Sequence, residues 1–420
     1  MFIELTNTPR DYAWGSYDGV AAFTGHPASG EPEAELWLGS HPGSPSRTPR
    51  TFPPSEGGHD TLRDWVAAEP GPLLGDPDAV ELPILLKVLA ARTPLSLQVH
   101  PSPAQAAQGY TDEVSRGIGV DAFSRNYKDP YPKPEIIVAV TDFEGLCGFR
   151  PSAEVAAFAA DLARLAADSR LTPSSPALSR LLGLLAEPTA MEPIVDWLLS
   201  GESSAADGVA QVISLAGSPE AMHTASAATF RTIRELAAHY PGDPGVVIAA
   251  LLNRVTLRPG ECLFAAAGVL HAYLHGVGIE LMTASDNVLR GGLTPKHVDT
   301  GELLRVLSFD QGGPSVLAPR RPSENVTVYQ PPAPFALTVA EVTGRPEPLP
   351  GGPAILLVER GAVTVTGTDA TVTLGRGQAV FVPASEPEIT VSGNGRLWLA
   401  TASARHSGRT LVDRGAPAER

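Results

Sequence analysis

The spacing of apolar positions changes twice along this chain. From residue 1 to 150, apolar residues fall in short runs broken by turn clusters. AELWLG precedes a Pro/Gly/Ser cluster, Leu82–Ala90 and Leu95–His100 flank Arg92-Thr93-Pro94, and KPEIIVAV is rich in β-branched residues. Such runs predict strands, and without helical stretches between them they predict a sandwich or barrel rather than βαβ units. After Arg150-Pro151 the spacing lengthens. Val155, Phe158, Leu162 and Leu165 recur at three- and four-residue steps behind Ser152, a residue suited to an N-cap, so an amphipathic helix is predicted. Apolar segments at Leu178–Leu185, Ile194–Leu199 and Thr224–His239 extend this texture to Tyr240-Pro241-Gly242-Asp243. Strands return near Val255 and fill the chain from Arg320 in PFALTVAEV, AILLVERGAVTVTG, ATVTLGRGQAVFVPA and RLWLATA. The polar tail from Arg405 is expected to fray.

The predicted class is therefore mainly β with a helical insertion. Residues 1–150 and 246–319 form one discontinuous β domain, 151–245 the insertion, and 320–420 a second β domain. Two β segments repeat each other. With Gly260 placed on Gly377, Phe264 falls on Phe381, Ala266 on Pro383 and His271 on Glu388. A glycine turn, a strand, a small-residue turn and then a ligand position resemble the second motif of the cupin jelly roll. Two such units imply two cupin-like barrels, and only the first keeps a histidine, so the second is expected to be metal-free.

Composition narrows the partners. Hydrophobic content of 43% and charged content of 18% are those of a globular chain. A formal net charge of -15 argues against nucleic acid or an anionic membrane, both of which require basic surface. Cys147 and Cys262, the two cysteines, lie in apolar runs and read as buried thiols. With no signal segment and no long apolar span, a cytoplasmic monomer is the default expectation.

Candidate chemistry gathers in the stretch Gly268–His297, which holds His271, Asp286, Arg290 and Lys296 among turn-forming residues. Basic residues on glycine-flanked loops suit an anionic small molecule, because glycine allows close approach of backbone to ligand. Upstream, Gln98 and His100 stand two apart on a predicted strand and so share one face, with Leu97 and Val99 turned to a core. Glu135 opens an Ile-Ile-Val run, where an acid is costly unless paired or metal-bound. Gln98, His100, Glu135 and His271 supply two imidazoles and two oxygens, a set suited to zinc, with iron, manganese or cobalt as alternatives. His275 reads as strand and loop, and His223 and His239 as surface or structural residues.

The assembled motifs resemble type I phosphomannose isomerases. They are YAWGS (12–16), AELWLGSHP (34–42), LSLQVHPS (95–102), NYKDP (126–130), KPE (133–135), LCGFRP (146–151), LHAY (270–273) and SDNVLRGGLTPKHVD (285–299). The resemblance implies a cupin catalytic domain, a helical insertion and a second β domain. It also implies one zinc ion per chain at Gln98, His100, Glu135 and His271, with Arg290 catalytic. The implied reaction interconverts mannose 6-phosphate and fructose 6-phosphate through an enediol-type intermediate, in mannose and GDP-mannose metabolism. Lys133, Asp286 and Lys296 are candidates for substrate binding or proton transfer, unranked, and Lys128 and Asp129 for shaping a loop over the site. Pro132 stands where the family often has histidine, which puts a proton relay there in doubt, and Ala266 where proline is usual. Two other readings compete: a cupin that binds a sugar phosphate without turning it over, and an iron-dependent oxygenase, against which Gln98 argues.

Overall fold

The computed structural model describes residues 1–53, 58–168, 175–187 and 191–402, so the tail expected to fray lies outside the described residues. Two compact units emerge: Asn7–Pro45 with Leu85–Pro319, and Met1–Thr6 with Ser46–Ile84 and Arg320–Arg420.

The larger unit is organised by the strand His271–Thr283. Its first residues pair with Gln98 and with Cys147–Gly145, and its later ones, Gly278–Met282, pair with Ala139–Glu135. A bulge between Tyr273 and His275 separates the two stretches, bending the strand so that side chains far apart in register meet on the concave side. The sheet continues through Ile84–Ala91 to Glu35–Leu38, and through Gln98–Val99 to Leu289–Arg290. The run predicted over Leu95–His100 is strand only at Gln98–Val99, yet Leu97 and Val99 are buried in apolar core as their alternation requires.

Helices Ser152–Ala167, Pro176–Leu185, Met191–Leu199 and Ala227–His239 match the predicted segments. Ser203–Ala216 adds another, and the apolar faces of all five form one core with the barrel's flank. Ser152 is not the cap. Pro151 occupies that position and Ser152 is the first helical residue, without a side-chain cap bond. Residues 1–150 also contain a helix that was not predicted, Pro103–Ser115. Its start is a capping box, in which the Ser102 hydroxyl accepts the Gln105 N–H and the Gln105 side chain accepts the Ser102 N–H. His223 and His239 are exposed.

The smaller unit is an antiparallel sheet running Val326–Tyr329, Phe335–Thr343, Glu388–Ala402, Ala354–Thr366, Ala379–Val382, Phe2–Leu5 and Thr51–Phe52. Residues 1–6 and 46–84 thus group with the C-terminal β segment instead of with the rest of 1–150. The reason is pairing. Ile3 lies opposite Phe381, Phe2 and Ile3 are fully buried, and the Met1 ammonium sits 3.0 Å from a Glu386 carboxylate oxygen. The internal repeat has a structural counterpart. Cys262–Ala265 and Ala379–Val382 are short strands, and His271 and Glu388 each open the long strand that follows.

No helix among the described residues is long and apolar enough to cross a membrane. Phe158 and Phe230, both essentially buried with ring centroids 5.5 Å apart, join two helices of the insertion. Phe158→Ala is expected to destabilise the larger unit by about 3–5 kcal/mol, read as a lowered urea midpoint with the metal content of the folded protein unchanged.

Candidate active site

His100, Glu135 and His271 are brought together from three strands or strand ends, each buried. One ligand atom from each lies within 4.8 Å of the others. His271 enters because it opens the organising strand opposite Gln98. Glu135 enters because it is the first residue of the strand Glu135–Ala139, whose pairing with Gly278–Met282 brings its carboxylate to His271. Gln98 lines the same cavity, half-buried, and Arg290 pairs with it across the next strand.

The hydrogen bonds set the tautomers. His100 Nδ1 lies 2.8 Å from the Asn287 carbonyl and His271 Nδ1 lies 2.9 Å from the Val269 carbonyl. A carbonyl only accepts, so each Nδ1 carries a proton and each Nε2 turns inward, the arrangement of metal-ligating histidines. His100 Nε2 is 3.3 Å from Glu135 Oε2, and His271 Nε2 is 3.0 Å from Glu135 Oε1. Burial, with Lys133 nearby, lowers the His100 pKa to about 4. Its Nε2 lone pair therefore faces a carboxylate, a contact that a cation relieves. The Lys133 ammonium is that cation here, 2.7 Å from Glu135 Oε2 and 3.3 Å from His100 Nε2. The donor set fits a divalent ion.

Burial alone would push the Glu135 carboxyl up, but Lys133 and the two histidines hold it well below the usual carboxylate range. Tyr273 donates to Glu135 Oε1 at 3.2 Å. Behind them lies a group that sequence reasoning missed. Lys87 is 2.8 Å from Glu280 and 3.4 Å from Glu35, and Trp37 donates to Glu35 at 3.0 Å. Burial raises the Glu280 carboxyl, only partly offset by Lys87. All three charged groups line the cavity of about 50 Å³ that Gln98, Lys133, Glu135 and His271 share, room for an ion and a few waters. A signal for them existed: each is a lone charge inside an apolar strand run (ILLKVLAA, GIELM, AELWL), where only pairing makes burial tolerable.

Of the remaining candidates, Lys133 lines the cavity, whereas Asp286 and Lys296 are exposed. Asp286 Oδ1 is 3.3 Å from His41 Nε2, and because His41 Nδ1 accepts the Gly43 N–H, Nε2 is the donor. Burial works to raise the Asp286 carboxyl, but His41, Lys133 and Lys87 together leave it lowered. Lys128 and Asp129 do shape a loop: their N–H groups donate to Asn287 Oδ1, and Asp129 also takes the Asp286 N–H. Burial lowers the Arg290 pKa, and burial together with Arg290 lowers that of Lys296. Neither has a carboxylate within ion-pair distance among the described residues, so two like charges stand near each other unneutralised. His275 is exposed and away from the donor set. Burial raises Cys147 to about 11 and raises Cys262 further, as expected of buried thiols.

Residues 2–152 match the family model for the catalytic domain of type I phosphomannose isomerase. Mannose-6-phosphate isomerase of Escherichia coli (strain K12) is 34% identical over 402 residues, 94% of this chain and 98% of that protein. The Homo sapiens protein of the same name is 30% identical over 417 residues, 91% of this chain and 93% of that protein. Among solved structures, apo mannose 6-phosphate isomerase from Salmonella typhimurium superposes with a TM-score of 0.80 at 32% identity, covering 96% of this chain and 99% of that one. A mannose 6-phosphate isomerase solved bound with zinc and yttrium gives a TM-score of 0.80 at 31% identity, with the same coverage.

The histidine environment predicts a pH effect on metal-free protein. His100 is neutral in the fold down to about 4, whereas the unfolded chain takes up its proton near 6.5. The unfolded state therefore binds more protons in that window. The stability this group contributes is present above 6.5 and lost as pH falls toward 4. Chelated protein is expected to lose unfolding free energy between about pH 7 and about pH 5, and His100→Gln to show a shallower loss, by urea titration. Equal slopes would contradict a neutral buried His100.

Proposed function

This chain belongs to the type I phosphomannose isomerase family, and on that premise we propose that it interconverts mannose 6-phosphate and fructose 6-phosphate using a zinc ion held by Gln98, His100, Glu135 and His271. The observation that carries the metal site is the buried His100–Glu135–His271 cluster with both Nδ1 atoms bonded to carbonyls and both Nε2 atoms turned inward. When bound, zinc would polarise the sugar oxygens on which charge develops during isomerisation. The same reading carries a cytoplasmic monomer, one ion per chain, feeding mannose and GDP-mannose metabolism.

The protein groups divide the remaining work. Moving the carbonyl between C1 and C2 requires a proton to leave one carbon and return to the other, through an enediol-type intermediate. Lys133 is the candidate that lines the cavity, beside Glu135, and we assign proton transfer to it ahead of Asp286 and Lys296. Its contact with Glu135 orients the ammonium, and the Glu280–Lys87–Glu35 group behind fixes the electrostatics of the cavity wall. Arg290 and Lys296, mutually close and without an ion-pair partner among the described residues, suit the phosphate or the developing negative charge.

Incubating zinc-loaded protein with mannose 6-phosphate is expected to yield fructose 6-phosphate. Binding without turnover would sink the isomerase reading and leave a sugar-phosphate binder. Arg290→Ala is expected to keep fold and metal and to lower the rate about 10²–10³-fold; near-normal turnover would remove Arg290 from the mechanism. Elemental analysis of active protein should find about one equivalent of zinc, and active protein free of any such ion would overturn the ligand assignment.

A further inference from the structure

Between Arg290 and Lys296 runs a five-residue loop, Gly291-Gly292-Leu293-Thr294-Pro295. On one side it is tied to the metal-site segment: Gly291 N–H donates to the Leu97 carbonyl and Leu97 N–H to the Gly292 carbonyl, both at 3.0 Å. On the other side it is held by a single carboxylate, fifty residues upstream, in the turn Pro241-Gly242-Asp243-Pro244-Gly245. Asp243 Oδ1 accepts the Gly245 N–H at 2.7 Å and the Leu293 N–H at 2.9 Å, and Oδ2 accepts the Thr294 N–H at 3.2 Å. Thr294 Oγ1 in turn accepts the Lys296 N–H at 3.1 Å.

The packing around these bonds leaves little freedom. A Cβ on Gly292 (φ 116°) would lie 2.6 Å from Gly245 Cα, and one on Gly245 would lie 2.6 Å from Leu293 N. Leu293 adopts φ 55°, the one non-glycine residue with positive φ among those described, and is 1% exposed. A leucine holds such a conformation only where its surroundings over-determine it. A turn-capping role would account for the Gly245 bond alone; the Leu293 and Thr294 bonds go to the loop.

We propose that Asp243 is a positioning residue: its carboxylate clamps the 291–295 loop so that Arg290 and Lys296 present their charges together to the substrate's phosphate. This rests on the reading of those two cations as the anion-facing pair. Asp243 touches no reacting atom; it acts through Thr294 and the backbone.

The test uses full-length, metal-loaded protein and two probes, mannose 6-phosphate turnover and inorganic phosphate binding by calorimetry. Asp243→Asn keeps an oxygen for Gly245 and Leu293 but sets an amide N–H₂ against the Thr294 N–H. It is expected to raise KM for mannose 6-phosphate and Kd for phosphate together, by about tenfold, the loss of one charge-assisted bond. Metal content should be unchanged. Thr294→Ala, which removes only the Lys296 link, should shift both constants the same way, and Thr294→Ser should restore them. If Asp243→Asn misfolds, the Thr294 pair decides. Wild-type phosphate affinity in the variants, or a lowered melting temperature with Kd and KM unmoved, overturns the proposal. So does wild-type protein that fails to bind phosphate. Wild-type protein that binds phosphate without turning over the sugar sinks the isomerase reading instead, and the comparison of Kd values still judges Asp243.

Discussion

Ionised side chains inside an apolar barrel are tolerated only where their charges are matched within contact distance. Every feature of this site follows from that constraint. Glu135 is buried among Lys133, His100 and His271; Glu35 and Glu280 are buried around Lys87. Two lysines, Lys87 and Lys133, against three acids, Glu35, Glu135 and Glu280, leave a formal charge of −1 in one cavity. Burial, with Glu135 and Glu35 nearby, raises the Glu280 carboxyl against the pull of Lys87. A divalent ion bound by this group would reverse its sign to +1. The cupin strands serve this arrangement by curling, so that residues eleven positions apart in register, His271 and Met282's partner Glu135, meet inside.

The Arg290–Lys296 end has a different character. Arg290 ends the strand Leu289–Arg290 and Lys296 follows the loop after it; both are at least partly open to water and have no ion-pair partner among the described residues. Where the inner charges are largely matched against one another, the outer pair is left without an ion-pair partner among the described residues. The backbone between them is correspondingly tightly specified, with a buried leucine at positive φ and two glycines packed against each other.

Much of this was legible in the chain. The helical insertion announced itself by its three- and four-residue spacing, and the metal residues by their motifs and by the cost of burying Glu135. The inner charges were equally visible, since Lys87 interrupts a strand that is otherwise wholly apolar and buried, but pairing between Glu35, Lys87 and Glu280 depends on which strands become neighbours. His41 was hidden for the same reason: its partner Asp286 is brought near by the loop that Asn287 ties to Asp129 and Tyr131. The helix Pro103–Ser115 had a readable capping box that the surrounding strand pattern overshadowed. Assigning Phe2–Leu5 to the C-terminal sheet required knowing its partner, Ala379–Val382, and no local pattern carries that information.

That last pairing bears on how the chain is made. The strand Phe2–Leu5 has one neighbour, Thr51–Phe52, close behind it, but it leaves the ribosome some 370 residues before its other neighbour, Ala379–Val382, and at about 5–20 residues per second waits roughly 20–75 s for it. Through that interval Phe2 and Ile3 lack the strand that completes their burial, while the whole of Leu85–Pro319 emerges and is free to fold. The candidate site belongs to the unit whose segments emerge earlier, and the smaller sheet closes only once Ala379–Val382 has met Phe2–Leu5 and Glu388–Ala402 has followed.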